Sequence, residues 1–123
     1  MMKLAVNLSM IFTEMPLIER FAQARAHGFQ SVEIQFPYEL SIEQIQTQLS
    51  LHNLELCLIN VPVGDLMQGG NGLAGIPGME LEFHRGVEKA ILYAKALNVP
   101  SVNILAGKQP LDCDLLPCLK TLA

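Results

Sequence analysis

The stretch Gly64 to Gly78, GDLMQGGNGLAGIPG, holds six glycines, one proline and one charged residue. Within it, Gly70-Asn71-Gly72-Leu73-Ala74-Gly75 spells G-x-G-x-x-G. That pattern cradles a dinucleotide pyrophosphate when it forms the tight turn directly between a strand and a helix. Here the glycines start well past the preceding apolar run, and Ile76-Pro77-Gly78 separates them from the next helical segment. An acidic residue is also expected at the end of the following strand, and Leu105-Ala106-Gly107 supplies none. No G-x-x-x-x-G-K-[ST] motif is present. The spelling is short and common, so we read it as coincidence. A flexible tether and a loop shaping a ligand site remain as readings. A long loop inside a compact unit favours the second, as does its place at the carboxyl end of a strand, where α/β folds bind ligands.

Five polar residues stand at or beyond the ends of apolar runs: Asn7, Glu33, Tyr38, Asn60 and Asp65. All five are candidates for contacting a small polar substrate, and each has a plainer reading. Asn7 could cap the turn toward Thr13. Glu33 lies within an apolar strand, where an unpaired charge is costly; it either faces a polar interior or pairs with a lysine. Asn60 ends a run that is otherwise apolar. Tyr38 and Asp65 suit the stabilisation of loops. His27, His52 and His84 fall on helices or at their ends and are read as solvent-facing. Cys113 and Cys118 are spaced as metal ligands could be, but no second pair or histidine lies nearby, so no metal site is assigned. Three cysteines, an odd count without a dense framework, fit a reducing, cytoplasmic setting.

The elements that position these residues repeat one grammar. Lys3–Leu8 is predicted as a strand. Pro16 suits the first turn of a helix, and Leu17, Ile18, Phe21, Ala22 and Ala26 mark its apolar face. Gly28 closes it. Ser31–Phe36 is the second strand, stopped by Pro37. Ser41 and Gln44 have capping-box spacing, Ile42, Ile45 and Leu49 form the buried stripe, and His52-Asn53 end the helix. Glu55–Val61 is nearly all apolar, as a parallel strand covered on both faces would be. Met79–Leu97 is a long helix with Asn98 as its C-cap, Ser101–Leu105 a fourth strand, and Asp112 or Asp114 the N-cap of a fourth helix. Strands alternating with helices mean a parallel sheet. The pattern leaves two architectures open: an open doubly wound sheet, or part of a closed barrel. A complete eight-unit barrel needs about 250 residues, and four units in 123 residues are about half of that.

Bulk properties narrow the class. Half the residues are apolar and 16% are charged, which excludes a disordered, charge-swollen chain. The net charge is −4 and no basic stripe is present, so nucleic acid is not an expected partner. No apolar run reaches the roughly 18–20 residues that span a bilayer, and MMKLAVNLSMIF reads as a strand, with Asn7 and Ser9 interrupting it, so no membrane partner is expected.

Ala5 through Glu14, then Gly28-Phe29 through Val32-Glu33 to Phe36-Pro37-Tyr38-Glu39, resemble the first two units of hydroxypyruvate isomerases. These are xylose isomerase-like barrel enzymes with relatives that isomerise 2-oxo-tetronates. Asn60 with Gly64-Asp65, Gly72-Leu73-Ala74 with Pro77-Gly78, and Leu105-Ala106-Gly107 fit the same family. The resemblance runs from residue 3 to about 110. It departs at Gly70-Asn71, where the family commonly carries a glutamate and a bulky or basic residue, and at Asn103, where a histidine is usual. The stretch from Asp112 matches poorly and carries Pro117 where a helix should continue.

The resemblance implies an α/β fold: parallel (β/α) units forming the N-terminal half of a TIM barrel, with four strands and three to four helices. Residues 1–123 are then one partial (β/α)8 domain, truncated after about the fourth strand. It implies a cytoplasmic isomerase of carbohydrate metabolism that moves a proton between neighbouring carbons of a hydroxypyruvate-like substrate through an enediolate. The proton-transferring glutamates would lie on strands beyond this chain, so no catalytic residue is assigned here. A divalent cation, Mg²⁺ or Mn²⁺, is implied for the complete family site and none is expected on this chain. Asn7, Glu33, Tyr38, Asn60 and Asp65 would wall the substrate site, with the glycine-rich stretch as a flexible wall or lid. The alternative is a non-catalytic half-barrel remnant that self-associates through its raw strand edges. A DNA-repair endonuclease on the same barrel is a third reading, against which the acidic balance speaks.

Overall fold

The computed structural model describes residues 2–123. The chain divides into two compact units. The first comprises the chain up to Asn60 with Leu92–Asn103, and the second comprises Val61–Ile91 with Ile104–Ala123.

The first unit is a four-stranded parallel sheet in the order β1 (Ala5–Asn7), β2 (Ser31–Ile34), β3 (Glu55–Asn60), β4 (Ser101–Asn103). Between the strands run α1 (Leu17–Ala26), α2 (Ile42–His52) and α3 (Glu80–Leu97); residues Leu92–Leu97 of α3 belong to this unit. Alternating strands and helices therefore do produce parallel pairing. The strands are shorter than their apolar runs predict: Lys3, Leu4 and Leu8 fall outside β1, Gln35 and Phe36 outside β2, Val61 outside β3, and Ile104 and Leu105 outside β4. Hydrophobicity extends past the ladder because residues leaving a strand still pack; Leu8 is fully buried although it lies beyond β1.

One face of the sheet makes the core. Val6, Val32, Ile34, Leu56 and Ile59 pack against Leu17, Phe21 and Ala24 of α1, Ile45 and Leu49 of α2, and Tyr93 and Leu97 of α3. Strand side chains alternate between faces, so Asn7 and Glu33 point to the other face. In β3, Leu56 and Ile59 are three residues apart yet both join the core. A shift of register makes this work, since Val32 pairs with Leu56 but Glu33 pairs with Leu58. Cys57 is the extra residue, as in a bulge.

The helices start and stop for local reasons. At α2, the Ser41 Oγ accepts from the Gln44 N–H at 3.1 Å, and the Gln44 Oε1 accepts from the Ser41 N–H at 2.8 Å, the reciprocal capping box. Pro16 precedes α1 directly, with Glu19 in the first turn and Arg25 in the last, each favourable to the helix dipole. All three helices end alike. A residue in the left-handed region, Gly28, Asn53 or Asn98, reverses the chain. The next N–H, of Phe29, Leu54 or Val99, bonds back to the carbonyl of Ala24, Leu49 or Ala94 at 2.9–3.1 Å. Leu54 and Val99 are buried there, so each helix end also aims the following strand.

In the second unit, Leu66–Gln68 forms a single 3-10 turn inside the glycine-rich stretch, and Leu115–Leu122 forms α4 after Asp114. Pro117 does not prevent α4. It lies in the first turn, where its missing N–H has no carbonyl to meet. Likewise Pro37 begins a 3-10 turn, Pro37–Glu39, which the sequence pattern does not show.

Phe21→Ala empties a fully buried position and is expected to cost about 3–5 kcal/mol. Leu51→Ala, on an exposed residue of the α2 surface, should stay within about 0.5 kcal/mol of the parent. Urea unfolding of the two variants measures the contrast.

Candidate functional site

The face of the sheet turned away from the helices is polar at the carboxyl ends of its strands. Asparagine is the last residue of β1 (Asn7), of β3 (Asn60) and of β4 (Asn103), and Glu33 is the penultimate residue of β2. Parallel register sets them side by side. Asn7 is the Cα partner of Glu33, and Asn60 is the Cα partner of Asn103. The Asn60 N–H donates to the carbonyl of Gln35, just beyond β2, at 2.8 Å, which ties the end of β3 to the segment leaving β2.

Asn60 is the most enclosed of these residues, 5% exposed. Its Oδ1 accepts from Asn103 Nδ2 at 3.2 Å. Its carbonyl accepts from the Tyr38 hydroxyl. Tyr38 stands edge-on to Tyr93, ring centroids 5.1 Å apart and planes at 73°, and the Tyr93 hydroxyl donates to the Leu40 carbonyl at 2.8 Å. The two tyrosines thereby clamp the segment after β2 onto the end of β3.

Asn7 uses its Oδ1 to accept the Ser9 N–H at 2.9 Å, a local turn like the capping role open to it in the sequence. Ser9 in turn accepts the Gln35 N–H through its Oγ at 2.9 Å. Arg20 of α1 reaches back to the Leu8 carbonyl at 2.7 Å and the Met15 carbonyl at 2.9 Å, holding both ends of the segment between β1 and α1. Glu33 is partly buried, and its carboxylate has no hydrogen bond or ion pair among the described residues. The lysine pairing is not formed: Lys3 pairs with Glu55, at 3.5 Å, where both side chains are exposed. Of the first unit's candidates, then, Tyr38 has its hydroxyl engaged with the fold, while Glu33 keeps a free carboxylate beside a row of amides.

Asp65 lies in the second unit, where it organises the glycine-rich stretch. Its Oδ1 accepts the Gly72 N–H at 3.1 Å. Its carboxylate occupies the space a Cβ on Gly70 would need, which is why no side chain fits there. The Gly75 N–H donates to the Ala106 carbonyl at 2.9 Å, and the Lys108 N–H donates to the Asn71 carbonyl at 2.8 Å. Leu73 and Ala74 are buried. The stretch is thus a built loop with its own hydrogen bonds, not a bare tether. It is also not a turn between strand and helix, as a pyrophosphate cradle would require.

Asn103 is the residue that sequence reasoning passed over. In the sequence its one distinguishing mark is that it stands where the resembling enzymes usually carry a histidine. The available signal was the repetition of asparagine at the end of three strands. His27 and His84 are exposed and His52 partly so. Among the described residues no three His, Cys, Asp or Glu side chains gather as a metal-holding group. No helix among them is long and apolar enough to cross a membrane.

Burial first, and then the neighbouring Tyr93, push the Tyr38 phenol above its usual value. A phenol with a higher pKa folded than unfolded stabilises the fold below the unfolded value, about 10, and loses that contribution as pH climbs toward the folded one. Tyr38→Phe should cost about 1 kcal/mol near neutral pH through the lost bond to Asn60. It should also flatten the fall in stability above about pH 10. Urea midpoints across the alkaline range check both expectations.

Residues 21–123 match the family described as the xylose isomerase-like TIM barrel. The chain is 44% identical over 110 residues to hydroxypyruvate isomerase of Escherichia coli, covering 89% of this chain and 43% of that protein. It is 39% identical over 110 residues to 2-oxo-tetronate isomerase of Haemophilus influenzae, again covering 89% and 43%. The crystal structure of AP endonuclease, family 2 from Brucella melitensis superposes with a TM-score of 0.90 at 38% identity, covering 99% of this chain and 47% of that one. The chain spans less than half the length of these relatives. Its parallel β/α units, its polar strand ends and these matches agree: the chain belongs to the xylose isomerase-like TIM barrel family.

Proposed function

We propose that this chain supplies one wall of an isomerase site for a small hydroxy-oxo acid of the hydroxypyruvate type. The observation that carries the reading is the polar row at the strand ends, Asn7 beside Glu33 and Asn60 beside Asn103. Amide N–H groups suit a substrate carbonyl or carboxylate, and a free carboxylate suits a substrate hydroxyl. Support also comes from relatives named hydroxypyruvate isomerase and 2-oxo-tetronate isomerase.

In this reading Glu33 and Asn60 contact substrate. Asn7 contributes its Nδ2, since its Oδ1 is engaged. Tyr38 and Asp65 serve mainly by holding Asn60 and the glycine-rich loop in place. Isomerisation through an enediolate needs one group to take the proton alpha to the carbonyl and another to return it. We assign those groups to the part of the longer relatives that this chain does not match. Among the described residues no three His, Cys, Asp or Glu gather as a metal-holding group; we assign the ligands of a family cation, Mg²⁺ or Mn²⁺, to the same unmatched part of the relatives. Nucleic acid and membrane are not proposed as partners, and a cytoplasmic setting follows from the proposed metabolic role.

A second reading, a non-catalytic half barrel that self-associates, draws on one observation. β1 and β4 are each paired on one side only, and every residue of β4 is exposed. Unpaired strand edges invite pairing with another chain.

Two assays separate the readings. Residues up to Ala106 joined to the carboxyl-terminal half of the Escherichia coli enzyme should convert hydroxypyruvate in the presence of Mg²⁺ or Mn²⁺. Glu33→Gln in that chimera should lower kcat/KM by about tenfold or more. A folded chimera without turnover would overturn the isomerase reading. The 123-residue chain alone should dimerise or aggregate and show no turnover; measurable turnover by the monomer would overturn the second reading.

A further inference from the structure

The polar row uses no cysteine, and Cys57 stands alone in β3. Cys113 and Cys118, both in the second unit, are a different case. Their sulfurs share a hydrogen bond at 3.6 Å. Cys118 is buried in the first half of α4, while Cys113 is half-buried in the turn just before it. That turn is folded back by three contacts. The Cys113 N–H donates to the Pro110 carbonyl at 3.2 Å. The Gln109 Nε2 donates to the Cys113 carbonyl at 2.9 Å. The Cys113 thiol lies 3.5 Å from the Asp114 carbonyl. Together they set one thiol against the other across the start of the helix.

We propose that Cys113 and Cys118 form a reversible intramolecular disulfide, a thiol–disulfide exchange site whose oxidant is a low-molecular-weight disulfide of the glutathione type. The more accessible Cys113 thiolate attacks one sulfur of the oxidant. A protein–glutathione mixed disulfide forms and one glutathione thiolate leaves. The Cys118 thiolate then displaces the second glutathione from Cys113, closing the bond. The two protons lost by the cysteines end on the two released glutathiones, and two electrons pass from the pair to the oxidant. A disulfide bond is about 2.05 Å long, so the sulfurs must approach by roughly 1.5 Å. The movement can come from the irregular segment 108–114, leaving α4 in place.

The resting state is the dithiol. The hydrogen bond shared with Cys118, then burial, then the charges of Cys118, Asp112 and Asp114, hold the Cys113 thiol above the ordinary range. A raised thiol pKa lowers the thiolate fraction and so slows the first attack on the oxidant.

The test uses the full chain, reduced, then exposed to oxidised glutathione, acid-quenched and alkylated. Trypsin cuts after Lys108 and Lys120, so both sulfurs fall in the peptide 109–120 and Cys57 falls in another. The expected product is the peptide 109–120 lighter by two hydrogens, with Cys57 still alkylated. Pre-positioning should make the second step, closure from the mixed disulfide, roughly tenfold or more faster in the folded chain than in concentrated urea. Cys118→Ser should instead trap glutathione on Cys113. Equal closure rates folded and in urea would overturn the proposal. So would glutathione adducts or intermolecular links in place of the internal bond. Comparing the parent chain with and without urea decides the matter even if the serine variant does not fold.

Discussion

The structure of the first unit rests on the two-sidedness of its sheet. A strand residue has only two directions available, and one of them leads into the packed layer between sheet and helices. A carboxylate or amide directed there would lose its water without gaining a partner. Val6, Val32, Ile34 and Ile59 fill that layer, so the residues adjacent to them, Asn7, Glu33 and Asn60, must take the opposite face. The polar row is therefore a consequence of core packing. Burying the apolar set places the polar set, and no separate device is needed to aim it.

The one place where alternation alone would fail is β3. With Leu56 in the core, strict alternation would turn Ile59 outward and Asn60 into the apolar layer. The register shift beside Cys57 adds one residue to β3 and restores the phase before the strand ends. It thereby turns Asn60 to the polar face, where the separate pairing of β3 with β4 sets it beside Asn103 and allows the 3.2 Å amide contact. A local irregularity in the backbone thus determines which face the end of β3 presents. Loss of the extra residue would flip the end of the strand rather than merely shorten it.

Much of this was legible from residue types. Ser41 with Gln44 and Gly28 after the first helix are chemical signals that act over a few residues, and each did in the structure what its chemistry predicts, while Pro16, expected in the first turn, stands one residue ahead of it at the N-cap. The strand ends were not legible, because an apolar residue such as Leu8 or Val61 packs equally well inside or just beyond a ladder. The register shift was hidden for a related reason. Leu56-Cys57-Leu58-Ile59 is uniformly apolar, so no polar residue marks where the phase changes. Pro117 is a helix breaker or a tolerated first-turn residue depending only on where the helix starts, and with both Asp112 and Asp114 able to cap it the sequence does not fix that start. The candidate residues were found as single positions. Their grouping was not, because it depends on register, which no single strand encodes.

The glycine-rich stretch shows how the same composition can mean order rather than slack. Flexibility is the usual inference from many glycines, since each widens the range of backbone conformations available to the unfolded chain. At Gly70 the reason is spatial: the Asp65 carboxylate fills the volume where a side chain would be. At Gly107 a side chain would strike the Asn71 carbonyl, and the backbone sits in the left-handed region. Both glycines are thus required by close approach. Each brings a polar group of the loop within bonding reach of a backbone N–H, Asp65 to Gly72 and Asn71 to Lys108. A loop held this way has a definite shape at the carboxyl end of a strand. Asp65 is committed to that shape by its own carboxylate, which accepts the Gly72 N–H.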